Sequence, residues 1–459
     1  MRRFVLVLVL IAAACSHAPV NSQLRTTPFN PAYGYRYANI APRNNDACTD
    51  DTFVIVTMSG GGTRAAAFAY GVLQKLAETK IHHDTSDMLA AVDVISSVSG
   101  GSFLSTYYAL NGREGLPAFK ENFLKPNVEK GLFLSALKPW NLLRLLFSPN
   151  FTRIDLAANY YDQHLYHGAT YKGMPLRRPY IVVNSTEMDI GSQFQFTQEQ
   201  FDPICSNLSE LRVADAVASS SAFPGLLVPV TMGSWAGKCQ YKPPDWYGNA
   251  ANDFHLHARR FRAYTDLMEL KRTDRPNLHL IDGGIADNIG LRGPMTALTS
   301  VDTWQSGNQD HAFSVLRMVN NHKVKRVGVI IVDAKTENTL SLDRSSATPS
   351  LINVVLNISE TPMANYSTET VQLMIDAAEQ LQQAAASAKA LHQPPMATYE
   401  IYPIYVSFAA ADDETRKNLN KIGTNFSLKP EELKLLIDSG AKILADTPEF
   451  QQLVKDLQP

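Results

Sequence analysis

The stretch Ser97-Val98-Ser99-Gly100-Gly101 sits where a β-branched apolar run, Val92 to Ile95, gives way to a helical pattern with Phe103, Tyr107 and Leu110 on one side. A strand that turns at once into a helix lifts its apex residue clear of the chain, the geometry of a nucleophile elbow, and makes Ser99 a candidate nucleophile. The turn is tight, so small neighbours are required, and Ser97 stands where the G-x-S-x-G pattern has its first glycine. The plain alternative is an ordinary capped turn before a helix. A second candidate group is Asp282, which ends the strand-like run Leu278-His279-Leu280-Ile281 and precedes Gly283-Gly284. In α/β sheets, ligands bind at the carboxyl ends of strands. The alternative is an Asp-Gly turn with no chemistry.

A third candidate lies upstream. The buried-strand run Phe53 to Met58 stops at Ser59-Gly60-Gly61-Gly62-Thr63-Arg64, and a helix with Phe68, Val72, Leu73 and Leu76 on one face follows from Ala65 to Glu78. Three glycines at a helix N-terminus offer backbone N–H groups to a developing oxyanion. The same residues, Gly60-x-Gly62-x-x-Ala65, also fit a dinucleotide fingerprint. That reading needs an acidic residue closing the next strand, which ends instead at Ser96-Ser97; Asp93 stands at its start, and Asp84 and Asp87 lie in a polar loop. A purely structural glycine turn is the third reading. No Gly-Lys-Ser/Thr occurs here, which excludes a P-loop.

The elements that must position these groups alternate between strand and helix along 459 residues, 45% of them hydrophobic and 19% charged. Tyr180 to Asn184, Val327 to Val332 (ending in Asp333) and Tyr402 to Phe408 read as further strands, with Ser192 to Thr197 alternating. Leu211 to Ser220, Thr368 to Leu391 and Glu431 to Leu444 read as helices, the last begun by Pro430. This alternation predicts an α/β fold with a mostly parallel central sheet flanked by helices. The formal net charge of −2 leaves no basic footprint for nucleic acid.

Residues 112–178 read as an insertion. From Lys120 to Arg153 six basic residues face two acidic ones, interleaved with leucines, phenylalanines and Trp140. That mixture suits a surface touching anionic lipid, a helical cap over the sheet, or a lid that is both.

Arg2 and Arg3, the apolar run Phe4 to Ala14 and the small residues before Cys15 form a secretory signal too short to span a bilayer. Cys15 after Ala12-Ala13-Ala14 resembles the lipobox of bacterial lipoproteins, which implies lipidation at Cys15, a lipid-anchored place in the cell envelope and, with Ser16 following, the outer membrane. An ordinary cleaved signal is the alternative. Exported chains form disulfides; Cys205 and Cys239 bracket one loop-strand region and are the candidate pair, leaving Cys48. None of the cysteines has metal-ligand spacing, and no metal or cofactor is called for. The organisation expected is a signal over 1–14, a polar tether over 15–51, a core over 52–300 and an α/β part over 301–459 packed on the same domain.

Taken in order, Gly60-Gly61-Gly62-Thr63-Arg64, Ser97-Val98-Ser99-Gly100-Gly101 and Asp282-Gly283-Gly284 resemble the patatin-like phospholipase family, with its GGGxR loop, G-x-S-x-G elbow and later D-G-G/A motif. Similarity extends through Val183-Asn184-Ser185-Thr186, Ala218 to Pro224 and Asn288, and Ile422 to Phe426 looks like a family C-terminal element. The resemblance implies a patatin-like three-layer fold and a bacterial lipoprotein-type serine acyl hydrolase acting on lipid carboxylic esters through an acyl-enzyme. It implies Ser99 as nucleophile, Asp282 as its partner in a Ser-Asp dyad, Gly60, Gly61 and Gly62 as oxyanion donors, and Arg64 beside that loop. A free carboxylate is a poor base at pH 7, so such a dyad requires a desolvated Asp282. A histidine base, His311 or His322, would instead give α/β-hydrolase order, while His279 reads as a packed neighbour. The alternative to catalysis is a membrane-anchored lipoprotein that kept the fold.

Overall fold

The computed structural model describes residues 18–25, 30, 32–40, 51–81, 86–225, 227–243, 246–255, 258–299, 324–337, 348, 351–390 and 399–458. Its centre is an eight-stranded sheet built from β1 (Thr52–Met58), β2 (Val92–Val98), β3 (Tyr180–Glu187), β4 (Ser192–Gln195), β5 (Val230–Gly233), β6 (Asn277–Asp282), β7 (Arg326–Asp333) and β8 (Glu400–Ser407). The strand order is β8-β7-β1-β2-β3-β6-β5, with β4 paired to β3. The β8/β7, β7/β1, β1/β2 and β2/β3 pairs are parallel. The β3/β6, β6/β5 and β3/β4 pairs are antiparallel.

β1, β2 and β3 are buried at every position, as parallel strands covered on both faces must be. The helices include α1 (Gly62–Glu78), α2 (Gly100–Asn111), α3 (Val128–Ala136), α4 (Pro139–Phe147), α5 (Arg153–Tyr161), α6 (Val213–Ser220), α7 (Leu351–Ala390) and α8 (Pro430–Asp446). α1 packs along α8, and one continuous apolar core joins sheet and helices. The α7 helix starts well before the predicted Thr368 and carries Pro362 within it. The segment after residue 300 places β7 and β8 at the edge of the same sheet, beside β1.

The segment predicted as a tether is corrected in its described part. Ser22 and Gln23 pair with Asn207 and Ser206, Leu24, Tyr35 and Tyr37 are buried, and Arg36 forms a 2.7 Å ion pair with Asp202 in the interior. The physical reason is the aromatic content: Tyr35 stacks on Tyr180 and meets Tyr171 edge-on, surface that a solvated tether would leave exposed. Cys205 and Cys239 form a disulfide, with Cα atoms 5.5 Å apart, next to Leu24. Cys15, Cys48, Asp84, His311 and His322 lie outside the described residues.

The candidate active site

The parallel β1 and β2 lie side by side, so the loops after them emerge at one end of the sheet. β2 ends at Val98, α2 begins at Gly100, and Ser99 between them has φ 47° and ψ −115°. A non-glycine residue held at positive φ costs about 1–3 kcal/mol and persists only where its surroundings over-determine it. Those surroundings are hydrogen bonds: the Ser99 amide donates to Ser220 Oγ (2.8 Å), which itself donates to the Asn184 carbonyl (2.6 Å). Asn184 Nδ2 donates in turn to the Ser97 carbonyl (2.9 Å) and Ser96 Oγ (3.0 Å). Ser97, in the place of the elbow's first glycine, is fully buried, and its hydroxyl meets Ser105 Oγ of α2 at 2.7 Å. The extra hydroxyl is therefore absorbed as a brace.

The glycines after Ser99 are dictated by the neighbouring loop. A Cβ on Gly101 would lie 2.7 Å from Met58 Cβ at the end of β1, and one on Gly100 would meet the backbone of Gly62. The triple-glycine turn thus runs against the elbow, with φ 133° at Gly61 and 62° at Gly62. Of its three amides, that of Gly60 donates to the Asn288 carbonyl (2.9 Å) and is withdrawn from the predicted donor set. Among the described residues the Gly61 and Gly62 amides have no such carbonyl partner, and Gly62 opens α1, where unbonded N–H groups concentrate.

Arg64 is buried beside this turn. Its Nη1 donates to the Ile422 carbonyl (2.8 Å) and its Nη2 lies 3.1 Å from where a Gly61 Cβ would be. Burial lowers its pKa to about 10, opposed by the charges of Asp333 and Glu360, so it stays cationic at neutral pH. Thr63 is gripped from the same side: its amide and hydroxyl both donate to the Asn425 carbonyl at 3.0 Å.

Asp282 closes β6 and is brought to the elbow by the β3/β6 pairing, which sets it opposite Ser185. Its carboxylate accepts the Gly284 amide (2.8 Å), and the Ser99 side chain lies near enough to lower its pKa. Burial is the dominant influence and pushes its pKa up to about 6, against the Gly284 amide and the Ser99 side chain, which lower it. Thr186 holds the loop by donating to the Asp282 carbonyl (2.8 Å) while accepting from the Ala286 amide (3.0 Å). Asn288 Oδ1 occupies the space beside both Gly60 and Gly284. His279 stands three residues from Asp282, hence on the opposite face of the strand, near Thr231 Oγ1 at 3.4 Å. Asp87 is engaged by Arg113 (2.6 Å), and Asp93 by the Val54 amide and Arg178.

Sequence reading singled out Ser99, Asp282, Gly61, Gly62 and Arg64, and the fold brings them together. It missed Ser220, Asn184 and Thr186 as supports. The available signal was the run Asn184-Ser185-Thr186, small polar residues in an otherwise apolar strand buried along its whole length.

An α/β sheet carrying a strained serine beside a buried carboxylate and glycine amides defines an acyl-hydrolase class of site. The patatin-like phospholipase family profile matches residues 56–295, just over half the chain, and the protein belongs to that family of lipid-ester hydrolases. Among solved structures, human GIVD cytosolic phospholipase A2 is 12% identical with TM-score 0.43, and the match covers 89% of this chain and 62% of that one. The same enzyme in complex with methyl γ-linolenyl fluorophosphonate is 13% identical with TM-score 0.40, covering 89% and 59%. VipD from Legionella pneumophila is 10% identical with TM-score 0.29, covering 89% and 68%. No curated protein matches the chain.

Proposed function

We propose that this protein is a serine acyl hydrolase that cleaves phospholipid or related lipid carboxylic esters through a Ser99–Asp282 dyad and an acyl-enzyme. The observation that carries the reading is the convergence of the strained Ser99 and a desolvated Asp282, whose carboxyl the Ser99 side chain influences, beside the Gly61 and Gly62 amides. In the first half-reaction Ser99 Oγ attacks the ester carbonyl and its proton passes to Asp282. The oxyanion is stabilised by the glycine amides and by the N-terminal ends of α1 and α2. Protonated Asp282 then gives its proton to the departing alkoxide, leaving the acyl group on Ser99. A water molecule attacks that ester, Asp282 takes its proton, and the fatty acid leaves as Ser99 recovers a proton. With a pKa near 6 the carboxylate is mostly ionised at pH 7 yet more basic than a free aspartate.

A fluorophosphonate probe tests the assignment. Ser99 is the expected adduct, and Ser99→Ala is expected to abolish both labelling and release of fatty acid. Labelling that survives in the variant overturns it. A second reading, a non-catalytic lipoprotein that kept the fold, is favoured by burial: Ser99 is 7% and Asp282 4% exposed. A chain inert to the probe both in buffer and on lipid vesicles would decide for it.

The chain is further proposed to be anchored by lipid on Cys15 in a bacterial cell envelope, at the outer membrane. Incorporation of labelled palmitate that disappears in Cys15→Ser, and recovery with outer-membrane fractions, is the expected result. Release of unlabelled protein into the medium overturns it.

A further inference from the structure

The two helices α3 and α4 form a hairpin whose outer surface is apolar. Phe133, Leu134, Leu137, Trp140, Leu143 and Phe147 are 64%, 52%, 52%, 70%, 51% and 77% exposed, and α4 has no buried residue at all. Exposed single hydrophobic residues are ordinary; six large ones on twenty consecutive residues are not. The hairpin is nonetheless held in place. Val128 is buried and its amide donates to the Phe426 carbonyl (3.0 Å). A Cβ on Gly131 would lie 2.1 Å from the Tyr160 hydroxyl, so α3 lies tight on α5, and Asn141 Nδ2 donates to the Ser135 carbonyl (2.9 Å) to fix α4 on α3. This is an ordered surface with nothing covering it among the described residues.

Its charge says what would cover it. Lys130, Lys138 and Arg144 sit among the apolar side chains with Glu129 as the one acid of the hairpin. Lys130 and Lys138 are exposed, and Arg144 lies over the Phe151 ring at 3.8 Å. Before α3 in the chain, Lys120 and Lys125 join Lys434 of α8 in lining a separate cleft of about 510 Å³, where Lys125 pairs with Glu121 and Lys434 with Asp438. Aromatic and leucine side chains ringed by cations match the boundary between acyl chains and anionic headgroups. Each nine-residue helix is about 13 Å long at 1.5 Å per residue, far short of a bilayer core of about 30 Å. Among the described residues no helix is long and apolar enough to cross a membrane.

We infer that the α3–α4 hairpin is an interfacial membrane-docking element that lies in the plane of an anionic lipid surface and inserts Phe133, Trp140 and Phe147. This rests on and deepens the lipid-hydrolase reading by naming the form of substrate presentation, a packed anionic lipid surface, and the quenching arm of its test does not depend on turnover.

The test uses the full chain carrying Ser99→Ala, with vesicles of phosphatidylcholine and phosphatidylglycerol containing brominated acyl chains. The Trp140 signal is taken as the difference from a Trp140→Phe version of the same protein. The expected result is quenching of that difference emission, weakened when salt is raised and absent on vesicles of phosphatidylcholine alone. Replacing Phe133, Trp140, Leu143 and Phe147 by serine in the otherwise native chain should lower hydrolysis of vesicle lipid at least tenfold. Turnover of a soluble short-chain ester should stay within twofold, which also shows that the variant folds. Unquenched Trp140 emission on bound protein overturns the proposal, as does equal quenching on neutral vesicles. So does a concentration-dependent dimer that the serine variant dissolves, because a second copy would then be the cover. If vesicle docking fails while the soluble ester is still cleaved, this inference falls and the hydrolase reading stands. The reverse outcome separates the two in the other direction.

Discussion

A Cβ added to Gly100 would sit 2.1 Å from the carbonyl oxygen of Gly62, so the elbow and the triple-glycine turn are in backbone contact. That contact sets how closely the Ser99 turn and the Gly61–Gly62 turn approach. Gly100→Ala should push the two loops apart without touching Ser99 or Asp282. Losing one oxyanion donor typically costs about 10²–10³ in kcat, and a loss in that range is expected, read as the rate of fluorophosphonate labelling. A labelling rate within threefold of the parent would show that the loops yield without consequence.

Asp282 gives the pH dependence its sign. In the proposed dyad its ionised form takes the Ser99 proton, so kcat/KM on a soluble ester should rise with pH through an apparent pKa of about 6 and then level off. The folded pKa lies above the free value of about 3.9, so ionisation opposes folding. The penalty is absent below about pH 4 and fully present above about pH 6. Asp282→Asn should therefore be inactive yet melt no lower than the parent at pH 8, measured by calorimetry. An Asn variant markedly less stable at pH 8 would mean that the charge holds the fold together.

Arg64 braces the triple-glycine turn through its bond to the Ile422 carbonyl. Arg64→Ala leaves that buried acceptor without its donor, at a cost of about 1–3 kcal/mol. Urea denaturation should show that loss, and labelling of Ser99 should slow by more than the stability change explains. Arg64→Lys should recover stability in part only, because an ammonium cannot both reach Ile422 and lie along Gly61.

The Cys205–Cys239 bond closes a loop of sequence separation 34. Chain-entropy reasoning assigns such a loop about 3–4 kcal/mol. Cys205→Ser with Cys239→Ser should lower unfolding free energy by about that amount. The bond lies outside the Ser99–Asp282 constellation, so kcat on a soluble ester should be unchanged.

What the sequence made legible were the pieces with local signatures. The apolar runs ended as strands at Met58, Val98 and Asp282, and each ended at its motif. The antiparallel pairing was not legible: β4 and β6 read as strands without a direction, and β5, four residues long, shows itself only when β6 pairs with it. The supports of the site were hidden for the same reason. Ser220 lies 121 residues from Ser99, and Ile422 lies 358 from Arg64. Gly60 was read as a donor to substrate because nothing local announces that the Asn288 carbonyl takes its amide. Such pairings are fixed by the closed fold, where every buried polar group must find a partner.

The grip of Ile422 and Asn425 on Arg64 and Thr63 has a temporal side. A ribosome-bound polypeptide that has not yet extended to residue 425 already contains the serine and the aspartate, but nothing holds the glycine turn in register. Such a nascent chain should stay dark to a fluorophosphonate, and a stalled intermediate cut before residue 420 that reacts at the full rate would contradict this. On the proposed mechanism, late-synthesised residues would thereby act as a built-in delay, deferring attack on lipid while the protein is still being made.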